Sequence, residues 1–155
     1  MPNIKVRTSS NMLIGEYTHL IDDKNRLSVP SKFRKELGEK IVITPGLDNC
    51  LFAYTMVEWG KVAEKLAGLS MLQADTRSFN RFMFAGAVEV DVDSNGRVLI
   101  PEFLKKFADL KGKVVVAGVH SRVELWNEKA WIDYKKRIEK QADQLAEKLG
   151  EIGVF

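Results

Sequence analysis

The chain has 155 residues, 24 lysines and arginines against 21 acids, a formal net charge of +3 and a 45% hydrophobic fraction. That length holds one ordinary domain or two very small ones, and the composition is that of a soluble globular protein with no apolar run long enough to cross a bilayer. The single Cys50 excludes an internal disulfide and fits a reduced, cytosolic setting, while the mild positive excess permits a polyanionic partner without demanding one.

Residues 1–11 are polar and unpatterned and lack the apolar core of a signal segment, so a disordered extension is expected there. Residues 13–21 read as a strand. The polar turn formers Asp22, Asp23, Lys24 and Asn25 follow, and residues 26–29 read as a second strand. Pro30 then opens a short amphipathic helix through Leu37, since proline has no N–H to lose in a first helical turn. An apolar strand at 41–44, a turn at 45–49 and a strand at 50–54 lead into a helix over 56–67, with Trp59, Val62, Ala63 and Leu66 at helical spacing. This first unit spans residues 12–70.

Residues 71–85 are expected to form a linking helix. Phe79, Phe82 and Met83 share one side of it, too apolar for a flexible tether. The second unit, residues 86–150, runs through the same order: a strand at 86–92, a polar loop, a strand at 97–100 and a short helix from Pro101. Strands at 113–119 and 123–126 and a long helix over 128–150 complete it. Along that last helix Trp131, Tyr134, Ile138, Ala142, Leu145, Leu149 and Ile152 step by three and four, a heptad seam. Packing on its own body is the expectation for it, contact with another subunit the alternative.

The two units are copies. Asp22, Arg26 and Pro30 recur at one constant offset as Asp93, Arg97 and Pro101, and one position later the register holds Gly46 with Gly118, Tyr54 with Trp126 and Trp59 with Trp131. Units this small are marginal alone, so a shared core is expected. In each loop the slot before the arginine holds Asn25 or Gly96, the residue types that most readily take positive φ, which implies a left-handed backbone there. Asp22 and Asp93 can accept from the loop's own N–H groups, as in an Asx turn, or pair with the arginine four positions on.

Arginine offers a planar fork of donors suited to phosphate or a guanine edge. Lys24, Arg26, Lys32, Arg34 and Lys35 cluster charge around the first loop, and Arg97, Lys105 and Lys106 around the second. For an isolated Asp-x-x-x-Arg a structural ion pair is the plainer reading, and duplication alone does not overturn it, because a duplicated fold repeats structural residues too. His19 and His120 do not match between units and have no ligand-spaced partner, so no metal site is expected. Trp59, Trp126 and Trp131 sit on closing elements and read as core. No phosphate-cradling glycine loop is present, no set of residues assembles a reaction, and no cofactor is implied.

The doubled Asp-x-x-x-Arg loop before proline, the run Gly118-Val119-His120-Ser121-Arg122-Val123-Glu124-Leu125-Trp126, and Trp131 shortly after it resemble the MraZ family of bacterial transcriptional regulators over about residues 12–150. The resemblance implies an α+β fold: two tandem swapped-hairpin units of the AbrB type forming one pseudo-twofold barrel with flanking helices. It implies a cytoplasmic, nucleoid-associated DNA-binding regulator acting at the promoter of a division and cell-wall gene cluster. Ring-like homo-oligomers would set many loops against short direct repeats in double-stranded DNA. Carried onto matching positions, Arg26 and Arg97 would be the principal DNA contacts and Asp22 and Asp93 would hold the loops in shape; the clustered charge adds Lys24, Lys32, Arg34 and Lys105 to the expected DNA-binding set, and the backbone argument adds Asn25 and Gly96 to the loop-shaping one. Asn25 departs from the family's usual glycine, and the basic N-terminal extension is atypical. A protein-interaction module whose basic loops bind acidic proteins is the competing reading, and an enzyme is a third.

Overall fold

Strand residues in this chain alternate between two apolar sets, and the fold gives each set its own core. The computed structural model describes residues 12–154, so the expectation about residues 1–11 lies outside the described residues. In chain order the elements are β1 (Leu13–Leu20), β2 (Arg26–Ser28), α1 (Ser31–Leu37), β3 (Lys40–Pro45), β4 (Leu51–Thr55), α2 (Met56–Ala67) and α3 (Ala74–Ala85). They continue as β5 (Val88–Asp91), β6 (Arg97–Leu99), α4 (Glu102–Phe107), β7 (Lys113–His120), β8 (Val123–Asn127) and α5 (Glu128–Glu151). The α+β class is as expected, and a helix, α3, runs over Ala74–Ala85.

Six strands form one antiparallel sheet in the order β1-β7-β8-β4-β3-β5, and β2 pairs with β6 in a separate two-stranded sheet. The expected strand-loop-strand of the first unit is therefore not a simple hairpin. β1 pairs along its whole length with β7 of the second unit, Leu13 opposite His120 through Leu20 opposite Lys113, and meets its own β2 only at the Ile21–Leu27 bridge. Reciprocally, β5 of the second unit lies on β3 of the first, with Ile41 opposite Val90. The edges β1 and β5 are not paired with one another, so no closed barrel is shown by the strand ladder.

On one sheet face Ile41, Ile43, Leu51, Ala53, Val114, Val116, Val123 and Leu125 meet Leu27, Val98, Phe33 and Leu104 from the small sheet and the short helices α1 and α4. The alternate residues Cys50, Phe52, Tyr54, Val115 and Trp126 point the other way, under Trp59 and Val62 of α2 and Trp131 and Tyr134 of α5. Side chains on a strand alternate with period two, so burial of both sets needs cover on both faces. Both units contribute to each cover. Even the helix starts are duplicated: Thr55 Oγ1 accepts from Glu58 N and Asn127 Oδ1 from Ala130 N, both at 3.0 Å.

The long helix corrects one expectation. Its first turns pack on the body, where Glu16 of β1 accepts from Trp131 Nε1 at 2.6 Å and from Lys135 Nζ at 2.8 Å. Past Ile138 the seam leaves the body, with Leu145 38%, Leu149 39% and Ile152 73% exposed. The reason is length: 24 residues of helix run about 36 Å, far beyond the short strands beneath. No described helix is long and apolar enough to cross a membrane.

Gly118 sits opposite Gly15 where β1 crosses β7, and a Cβ there would lie 2.6 Å from the backbone N of Ile14 and the carbonyl carbon of Leu13. Gly118→Ala is therefore expected to lower stability in urea unfolding by about 1–3 kcal/mol, the usual cost of overpacking.

Candidate nucleic-acid interface

Each loop tip is organised by one carboxylate. Asp22 Oδ1 accepts from Lys24 N at 2.9 Å and Arg26 N at 2.8 Å, while Oδ2 takes Arg26 Nε at 2.9 Å. In the second loop Asp93 Oδ1 accepts from Asn95 N and Arg97 N, both at 2.9 Å, and Oδ2 from Arg97 Nε at 3.3 Å. Backbone bonds from Asn25 N to Asp22 O and from Gly96 N to Asp93 O close the two turns. Asn25 has φ 62° and Gly96 φ 74°, the left-handed backbone that the Asn/Gly interchange implies.

Pairing of β2 with β6 brings the loops together. Arg26 lies opposite Leu99 and Ser28 opposite Arg97. Directly opposed residues share a face, so Arg26, Ser28, Arg97 and Leu99 lie on one side of the ribbon, and Leu27 and Val98 turn into the core at 1% and 3% exposure. Strand spacings set the two arginine Cα atoms on the order of 8 Å apart. The arginine side chains keep 34% and 30% of their surface. Each commits only Nε to its aspartate; Nη1 and Nη2 have no partner among the described residues. An ion pair with the loop and an outward pair of donors are thus compatible in one side chain.

Clamps from the opposite unit hold each tip. Asn25 O accepts from Ile100 N, and Gly96 O from Val29 N, both at 2.8 Å. Lys105 Nζ donates to Asn25 Oδ1 at 2.8 Å and Asn25 Nδ2 donates to Glu102 Oε2 at 2.7 Å. At the matching place on the second tip, Arg34 Nε donates to Val29 O at 2.9 Å, and its guanidinium occupies the space a Cβ on Gly96 would need. Lys24 and Lys32 are exposed. Cys50, with no surface, has its thiol pushed up to about 12, chiefly by burial and then by the Glu124 carboxylate, which makes it a poor nucleophile. Among the described residues no three His, Cys, Asp or Glu gather as metal ligands would.

Comparison with known proteins places this duplicated architecture. The family model described as MraZ protein matches twice, over residues 12–82 and 83–150. The chain belongs to the MraZ family. Relatives named Transcriptional regulator MraZ include that of Caldicellulosiruptor bescii, 47% identical over 143 residues, and that of Moorella thermoacetica, 48% identical over 143 residues. The one from Clostridium tetani is 46% identical, and each alignment covers 92% of this chain and 100% of the relative. The MraZ family is one of transcriptional regulators, not of enzymes.

Two parts of this candidate site escape a reading of the sequence. Glu102, the acceptor for Asn25, carries no motif of its own, and the cross-unit clamps link residues far apart in the chain. The only signal was positional: Lys105 stands in the second unit where Arg34 stands in the first.

The tips also set a pH expectation. Hydrogen bonds, first from the Arg26 and Arg97 amides respectively, hold Asp22 and Asp93 below the ordinary value of 3.8. A depressed carboxylate stabilises its loop above that ordinary value, and the contribution is lost as pH falls through the folded value. NMR titration of the two side-chain carboxyl carbons is expected to give midpoints below 3.8; midpoints at or above it would contradict the geometry.

Proposed function

We propose that this chain is a sequence-specific DNA-binding transcriptional regulator in which the two Asp-x-x-x-Arg tips are the reading elements. The observation that carries the reading is the pair of part-exposed arginines on one face of the β2–β6 ribbon, each held by its Nε with two donor nitrogens left over. A two-stranded ribbon suits a major groove, and a guanidinium fork suits guanine O6 and N7 or a phosphate. Lys24 and Lys32 add phosphate contacts. Arg34 and Lys105 act from behind the tips, with their remaining donors toward the backbone of the DNA.

The interlocked strands accord with swapped-hairpin units of the AbrB type in a pseudo-twofold barrel. A ribbon of three residue pairs presents few contacts, so affinity requires several subunits on one DNA. Linking sites raises effective concentration when their spacing matches that of the DNA sites. The apolar seam of α5 beyond Ile138, uncovered within one chain, supports subunit contact, and a ring of homo-oligomers set against short direct repeats is the assembly proposed. The target is the promoter of the division and cell-wall gene cluster, and the setting is the cytoplasmic nucleoid.

Arg26→Ala combined with Arg97→Ala is expected to lower affinity for the repeat-containing promoter on the order of 100-fold or more. Salt dependence should become shallower by roughly 0.9 per lost phosphate contact. Gel shift and salt titration check the binding, and light scattering checks that the oligomer persists. Unchanged binding by an intact oligomer would refute the assignment.

A further inference from the structure

The two tips share one backbone device and differ in what they display. At the position two after the aspartate, the first tip shows Lys24 and the second Asn95; just before it stand Asp23 and Ser94. Both displayed side chains are exposed, and neither has a hydrogen-bond partner among the described residues. Each starts from a fixed point, because its backbone N–H is held by the loop aspartate at 2.9 Å. The third variable slot contributes nothing outward on either side: the Asn25 amide is taken by Lys105 and Glu102, and Gly96 has no side chain.

The chemistry of the displayed groups differs in kind. An ammonium is a point charge with donors only, suited to phosphate, and it cannot discriminate bases through a donor and acceptor pair. A primary amide carries one donor and one acceptor side by side, the complement of adenine N6 and N7 in the major groove. The structure holds that amide unused, on a rigid tip, next to an arginine anchored at its Nε.

We infer that the two loops are inequivalent readers: Asn95 of the second tip determines base preference at an A·T pair, whereas Lys24 of the first tip grips phosphate without base preference. This rests on the DNA-binding reading above and deepens it. A direct consequence is polarity. Although the ribbon is nearly twofold, one chain leaves a directional footprint, so successive subunits facing the same way around an assembly read the same short site in the same orientation. Direct repeats then follow from the inequivalence of the tips, whereas two identical readers would favour a palindrome.

Gel-shift competition with a promoter duplex substituted one base pair at a time separates the roles, using the full chain and its Asn95→Ala and Lys24→Ala variants at fixed salt. Wild-type protein should prefer A·T at one position of each repeat, and Asn95→Ala should flatten that preference by about 10-fold or more with the salt slope unchanged. Lys24→Ala should weaken all duplexes alike and make the slope shallower by about 1. Retained base preference in Asn95→Ala, uniform weakening by it, or altered preference in Lys24→Ala would overturn the inference. Wild-type protein without preference for any duplex would instead sink the DNA-binding reading itself. Light scattering on each variant establishes that the assembly is intact.

Discussion

Three residue pairs, Arg26 with Leu99, Leu27 with Val98 and Ser28 with Arg97, set the two loop tips in one arrangement. The ribbon they form is short, and on its own a two-stranded pair is marginal in water. It persists because Leu27 and Val98 are driven into the common core and because Val29 and Ile100 extend the pairing by bonding the opposite tip. The same contact buries the apolar side and fixes the spacing of the arginines on the polar side. Stability and presentation of the site therefore depend on the same atoms.

Around that ribbon, each aspartate performs several tasks with two oxygens. A carboxylate has about four acceptor sites, and Asp22 and Asp93 each use three of them, two on backbone amides and one on the arginine that follows. Backbone amides are thereby satisfied in a turn too tight to satisfy them otherwise. The arginine loses rotational freedom before any ligand arrives, which lowers the entropic cost of a later contact. Ion pairing and an outward offer of donors, opposed as alternatives from the sequence, use different nitrogens of one guanidinium.

Strands are exchanged between the two units. β1 is completed by β7, β5 by β3, and the two apolar sets of the central strands require cover from both units. α5 marks the limit of this closure. Its first turns are bound through Trp131, Tyr134 and the Glu16 contacts, and the rest carries its apolar seam into solvent. A heptad pattern records that a helix face will be covered, but the pattern is identical whether its own sheet or another subunit does so.

Element order was legible in the sequence because it rests on local rules: proline after the second strand of each unit, Asn25 and Gly96 where φ is positive, and apolar runs broken by polar turns. The repeat identified both loops and both arginines, since duplicated positions preserve what the local backbone demands. Strand partners were another matter. Residues 13–21 look the same whether they fold back on residues 26–29 or lie along β7, because period-two alternation specifies a face and not a neighbour. Only the tertiary structure decided that the arginines, distant in the chain, share one face of one ribbon, and that Glu102, Lys105 and Arg34 hold the opposite unit's tips. Such contacts depend on where the backbone travels after the turn, and the burial of two cores at once sets that path.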